Sequence, residues 1–327
     1  MFIFDAHSDI WLKCNSERRN GNERYFEDVH ISNLKKGKIG GGIFVVYTNT
    51  ESQSAPEKLF WRELGGICRE VENIENNFDN MIIATNYKNI TDAIEENKFF
   101  IILGAEGLSG IGADIDQIGI LYRLGIRHAS LTWNEENALA TGVGSEHLNQ
   151  GVTDLGEKAI KYMEKLGMVL DVSHLNEKSF WDVVDISKKP IIASHSNSKN
   201  LCGHRRNLTD EQAKAIAATG GVIGVNVCGA FISDSEPTLE KYINHIDHFV
   251  NTIGIDAVGI GFDFCDFLRE NQIDDNDEYF NHLTKDLDTI SKSSNVIDSL
   301  YARGYKETDV KKITHENFLR VLKNTMK

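Results

Sequence analysis

The chain has 327 residues, 41% of them hydrophobic, enough to bury a large core as two domains or as one large α/β barrel. Its 35 basic and 49 acidic residues give a net charge of −14 at pH 7, which argues against a nucleic-acid or anionic-membrane partner. Five scattered cysteines without CxxC spacing, a short apolar start with no basic leader, and the lack of any bilayer-length apolar stretch together predict a reduced cytoplasmic protein without a membrane anchor.

The chain opens "MFIFDAHSDI". In a strand, alternate side chains leave one face, so Asp5, His7 and Asp9 are expected side by side where the apolar run ends. Further apolar runs follow at 42–48, 99–107, 128–133, 167–174, 190–196, 221–227 and 257–264, which with 2–5 makes eight. Their unbroken hydrophobicity suits strands buried on both faces of a parallel sheet. Helical patterns lie between them. "TDLGEKAIKYMEKLG" puts Leu155, Ala159, Ile160, Met163 and Leu166 on one face and stops at Gly167. "TDEQAKAIAATGG" starts with a Thr209–Gln212 capping box and stops at Gly220, and Thr308 is the expected N-cap of the last helix. This alternation predicts a (β/α)8 TIM-type barrel, a single domain over 1–327, with a doubly wound open sheet as the rival.

The polar residues favour the barrel. His7 and Asp9 end the first run, Glu106 the third, His174 the fifth, His195 the sixth and Asp263 the eighth. In a barrel all of these ends meet at one mouth, whereas in an open sheet they do not. Singly, each has an ordinary explanation: a turn, a helix cap, or a hydrogen-bonded core histidine. Together, His7, Asp9, Glu106, His174 and His195 make five ligands, too many for one catalytic zinc with three protein ligands and water. They suit two Zn2+ per chain about 3.5 Å apart, with His7 and Asp9 on one ion, His174 and His195 on the other and Glu106 bridging. Asp5 reads equally well as a partner to these ligands or as a strand-end residue. His245 and His248 read as packing or surface residues, and His30, His128, His147, His204, His282 and His315 have no ligand-like context. The acidic stretch 265–288 is a candidate lid over the mouth.

"DAHSD", "GAEG", "DVSH", "SHSNSKNLCGHRRNLTDEQ", "GVIGVNV" and "GIGFDF", in this order, resemble the membrane (renal) dipeptidase family of zinc peptidases, an amidohydrolase-type barrel, from about residue 4 to "ENFLRVL". The resemblance implies hydrolysis of dipeptides, including those with a C-terminal D-residue. It assigns His7, Asp9, Glu106, His174 and His195 as the zinc ligands, with Glu106 also catalytic. It makes Arg206 the grip on the substrate carboxylate, and Asp263 the residue that meets the substrate amine and shuttles a proton. An arginine fork does match a carboxylate bidentately, and a carboxylate does pair with an ammonium group.

Three positions depart from the family pattern. Trp133 stands where a histidine helps to hold the reacting oxygen, Cys265 stands for a second aspartate, and Cys228 stands for an aromatic. None removes a metal ligand; each bears on rate or substrate scope. The missing leader and lipid-anchor signals make the chain similar to soluble microbial members, and a homodimer accords with the resemblance. Two other readings stay open. Lactonases and esterases of the amidohydrolase group often bridge their metals with a carboxylated lysine after strand four, where this chain reads "LTWNEEN". A non-catalytic metal-binding barrel would have no use for five converging ligands.

Overall fold

Nine short apolar segments form strands in the computed structural model, which describes residues 1–48, 55–267 and 283–327. They are β1 (Ile3–Ser8), β2 (Ile39–Tyr47), β3 (Met81–Ile83), β4 (Phe99–Glu106), β5 (Ile126–Ser130), β6 (Val169–Asp171), β7 (Ile191–Ala193), β8 (Val222–Val225) and β9 (Val258–Ile260). The sheet runs β1-β2-β4-β5-β6-β7-β8-β9, with β3 paired to β4 off this path. Helices fall between successive strands of the path, and the ladders β4·β5, β5·β6, β6·β7 and β8·β9 are parallel. The fold is a (β/α)8 barrel, as the alternation predicts.

β3 escapes the sequence reading because "MII" is only three residues long and shows no period. The strands are also shorter than their apolar runs. β6, β7 and β9 stop before His174, His195 and Asp263, so these three side chains stand on the loops that leave the strands. β1 ends at Ser8, and Asp9 is the first residue outside the helix Ile10–Arg19. Only Asp5 and His7 therefore share the strand face expected for all three residues.

The chain divides into two compact units, Met1–Gly42 with Ala193–Arg320, and Ile43–Ile192 with Val321–Lys327. In the first, Phe4 packs on Phe318 and Tyr242 on Phe262, all buried. Gly224 and Gly261 let their backbones close onto the Ser194 carbonyl: a Cβ there would lie 2.0 and 1.7 Å from its oxygen. Thr209 and Gln212 form the expected capping box of the helix Asp210–Ala218. The expected Thr308 cap is corrected. Lys306 is the N-cap, because the Asp309 carboxylate accepts the Lys306 backbone N–H (3.2 Å) and fixes the start two residues earlier. In the second unit, Thr153 caps Asp154–Leu166, and Gly167 ends it in the left-handed region at φ 86°. Phe44, Phe60 and Phe100 are fully buried. Among the described residues, no helix is long and apolar enough to cross a membrane. Residues 268–282 of the expected lid, with His282, lie outside the described residues.

His245 is a packing residue, as expected. It is fully buried, its Nδ1 accepts the Ser198 backbone N–H (3.1 Å), and its Nε2–H donates to the Ile232 carbonyl (3.0 Å). It thereby ties the loop after β7 to the helix Leu239–Ile253. Burial pushes its pKa down to about 4. The unfolded chain takes up that proton near pH 6.5 and the folded chain only near 4, so this contribution to stability is lost as pH falls from 6.5 to 4. Gln at position 245 keeps both a donor and an acceptor but does not titrate. The stability advantage of wild type over His245→Gln, read from denaturant melts, is expected to shrink across that window and stay level above pH 7.

Candidate metal-dependent active site

The first unit gathers His7, Asp9, His195, Arg206 and Asp263. His7 Nε2 lies 3.5 Å from Asp9 Oδ2, and the His7 and His195 rings sit 3.8 Å apart between centroids. All three side chains are buried. Ser194 Oγ meets His195 Nδ1 at 2.7 Å. The Asp5 carboxylate accepts the Phe262 N–H (2.8 Å) and the His7 N–H (3.4 Å). It thus ties the strand end that carries His7 to the loop after β9. Burial raises Asp5 to about pKa 7 against the opposing pull of these N–H donors.

Arg206 is buried, while its neighbour Arg205 is exposed. One Arg206 Nη donates to the His195 carbonyl (3.3 Å), and the guanidinium carbon stands 5.5 Å from the Phe231 ring centroid. A buried cation held this way is positioned for an anionic group. Asp263 has φ 60°, in the left-handed region that few side chains tolerate. Its backbone N–H donates to the His7 carbonyl (3.2 Å), and its Oδ2 accepts from the Asn226 amide (2.9 Å). Asn226 is in turn locked to Asn197: its N–H donates to Asn197 Oδ1 (2.8 Å), and the Asn197 amide donates to the Asn226 carbonyl (3.0 Å). Sequence reasoning missed this asparagine pair, whose only signal was a polar residue directly after the run 190–196 and another within the run 221–227. A cavity beside Asp263 is lined by Cys228, Phe264, Cys265, Thr284 and Leu287, among others. Burial and the Asp263 carboxylate push the Cys228 thiol up to about 12, so it faces the cavity neutral.

The second unit gathers Glu106, Trp133 and His174. Glu106 is the last residue of β4, and His174 follows β6 by three residues. His174 Nε2 stands 2.8 Å from Glu106 Oε1, both buried, and Nδ1–H donates to Asn134 Oδ1 (2.8 Å). His174 shares with Asp263 a positive φ, 71°. Two residues singled out by chemistry thus also carry backbone strain, which folds retain where the surroundings over-determine it. The Trp133 indole stacks obliquely near His174 (5.9 Å) and edge-on to Tyr47 (5.3 Å).

The donors fit a divalent transition metal. Within each unit, imidazole nitrogens and carboxylate oxygens of His7 with Asp9, His7 with His195, and Glu106 with His174 approach within 4.8 Å. Imidazole and carboxylate donors are what zinc takes in hydrolytic sites.

Buried histidine–carboxylate clusters at the strand ends of a (β/α)8 barrel define a metal-dependent hydrolase. The chain belongs to the membrane dipeptidase family, Peptidase family M19, whose model matches residues 1–327. It is 31% identical over 279 residues to an uncharacterised Klebsiella pneumoniae protein encoded 5′ of pqqA, covering 82% of this chain and 97% of that protein. It is 28% identical over 342 residues to an uncharacterised dipeptidase of Schizosaccharomyces pombe, covering 99% and 80%. Two solved structures share the fold at 23% identity. One is dipeptidase AC (TM-score 0.87; 100% of this chain and 99% of that one). The other is a Rhodobacter sphaeroides metallopeptidase liganded with a phosphinate mimic of L-Ala-D-Ala (TM-score 0.86; 99% of each). The protein is accordingly a metal-dependent dipeptidase acting on small peptides.

Proposed function

We propose that this dipeptidase works with two zinc ions, His7 and Asp9 serving one, His174 and His195 the other, and Glu106 bridging them. The observation that carries this reading is the pairing of buried imidazoles with buried carboxylates, 2.8 Å for His174–Glu106 and 3.5 Å for His7–Asp9, in a chain matched end to end by a dipeptidase family. Zinc held there would supply an activated water and polarise the scissile carbonyl.

The remaining work falls to the chain's own residues. Arg206 grips the terminal carboxylate of the dipeptide with its guanidinium fork, supported by its burial and its tether to the His195 carbonyl. Asp263 receives the substrate amine and returns a proton to the leaving nitrogen. The Asn226 amide holds one of its oxygens and so orients the other. Cys228 and Cys265 line the cavity beside Asp263, so these departures bear on which side chains fit. Acceptance of a C-terminal D-residue is supported by the L-Ala-D-Ala mimic bound to the Rhodobacter sphaeroides relative. We also read the chain as one catalytic domain over 1–327, cytoplasmic and homodimeric, on its composition and family resemblance. "LTWNEEN" has no lysine to carboxylate, which speaks against a lactonase or esterase.

Metal analysis after zinc reconstitution is the deciding experiment. Two ions per chain are expected, with loss of L-L and L-D dipeptide hydrolysis on chelation and recovery on zinc return. A folded, saturated chain with one ion or none overturns the bridging role of Glu106.

Arg206→Ala is expected to weaken substrate recognition by about 2–5 kcal/mol, the cost of leaving a buried charge partner unpaired. The loss should appear with free dipeptides and disappear with C-terminally amidated ones. Equal losses on both would remove Arg206 from carboxylate recognition.

Trp133 stands where a donor to the reacting oxygen is expected, and one such donor is worth roughly 2.7–4 kcal/mol of barrier. Trp133→His is expected to raise kcat about tenfold or more with KM little changed. A flat or lower kcat would mean that the indole N–H already serves that oxygen or that position 133 lies outside the site.

A further inference from the structure

His128 draws no attention in the sequence, yet it occupies a fully buried place on β5. Register puts His128 opposite Val169 on β6, so Asp171, two residues on, shares its face. His128 Nε2 meets Asp171 Oδ2 at 3.0 Å, with both side chains buried. The other Asp171 oxygen accepts the Ser173 backbone N–H at 2.9 Å. One carboxylate therefore joins an imidazole on β5 to the first turn after β6.

That turn delivers His174. An aspartate that accepts the N–H two residues on bends the backbone sharply, and the next residue here is His174 at φ 71°. From that strained position His174 directs Nδ1 to Asn134 and Nε2 to Glu106. A carboxylate held at one oxygen holds the turn better with its other, and His128 Nε2 lies within hydrogen-bond distance of that second oxygen. The ring packs directly against the backbone of β4. A Cβ on Gly104, its register partner on β4, would lie 2.6 Å from His128 Nδ1, and that nitrogen has no hydrogen-bond partner among the described residues. The bond to Asp171 is thus the hydrogen bond that this buried imidazole makes among the described residues.

We propose that His128, through Asp171 and the Ser173 N–H, is a positioning residue for the metal ligand His174. It touches neither substrate nor metal. Its effect is to preset the strained turn so that binding a metal ion does not have to. Partners one step removed from a metal ligand are typically worth about 10–100-fold in metal affinity.

The inference rests on reading His174 as a zinc ligand, so the test measures zinc binding by chelator competition on the full chain, with the melting temperature of the metal-free protein recorded in parallel. His174→Ala first identifies the His174-dependent ion. His128→Phe keeps a ring but removes the donor, and should weaken that ion at least about tenfold. The other ion should be little changed, and the metal-free melt should not account for the loss. His128→Gln offers an amide N–H to Asp171 and should recover most of the affinity. It also serves as the test, against His128→Asn, whose amide is too short to reach, if the Phe variant does not fold. If His174→Ala leaves the zinc content unchanged, the ligand reading fails. If it removes an ion that His128→Phe, or His128→Asn relative to His128→Gln, does not weaken, the positioning proposal alone is overturned. It is equally overturned if both ions weaken together in proportion to the loss of metal-free stability.

Discussion

A buried carboxylate must be met by donors, and much of the site's architecture follows from that requirement. Removing an ionised carboxylate from water costs several kcal/mol unless charge or hydrogen bonds replace the lost solvation. This chain places Asp5, Asp9, Glu106 and Asp171 at 1–7% exposure. Asp5 is answered by two backbone N–H groups, Glu106 by His174, and Asp171 by His128 and the Ser173 N–H, while Asp9 stands 3.5 Å from the His7 imidazole. The answering groups come from strand ends and the first residues beyond them. Just past β6 the Asp171 carboxylate takes the Ser173 N–H, and just past β9 the Asp5 carboxylate takes the Phe262 N–H, so a side-chain acceptor replaces the ladder where these two strands end.

The same requirement accounts for where strain is stored. His174 and Asp263 occupy the left-handed region, at a cost of order 1–3 kcal/mol each. Histidine and aspartate are among the side chains that tolerate it best. Each strained residue is held from several sides. His174 is fixed by Asn134, by Glu106 and by the Val143 N–H on its carbonyl. Asp263 is fixed by the Asn226 amide and by the His7 carbonyl. Such preset positions fit the roles proposed for His174 as a metal ligand and Asp263 as a proton-transfer group, which call for no reorganisation at each turnover.

Much of this was legible in the chain itself. Eight apolar runs alternating with amphipathic stretches specify the barrel, because burial on both faces of a parallel strand leaves a continuous signal. The Thr209–Gln212 box and Gly167 were readable because capping depends on a few neighbouring residues. His7, Asp9, Glu106, His174 and His195 stood out because a polar residue at the end of a buried run is costly without a task. β3 was not readable, since three residues carry no period. The Lys306 start of the last helical segment was hidden because an aspartate three residues on displaced the more obvious Thr308. The role of Asp5 was undecided because the Phe262 N–H it accepts is 257 residues away.

The sequence by itself determined the fold class, the Thr209–Gln212 and Gly167 caps and the identity of the residues with metal-binding chemistry, since all of these follow from near-neighbour pattern and side-chain type. Only the tertiary structure decided which of them stand within bonding distance and in what posture. His128 looked like an ordinary histidine, and Asn226 and Asn197 drew no attention. Their roles appear only when β5 is set beside β6 and the loop after β7 beside the loop after β8. The physical reason is that hydrogen bonds and ion pairs act over about 3 Å, whereas the residues making them are 43 positions apart for His128–Asp171 and 29 for Asn197–Asn226. Sequence spacing holds no record of such pairings until strand register brings the two partners face to face.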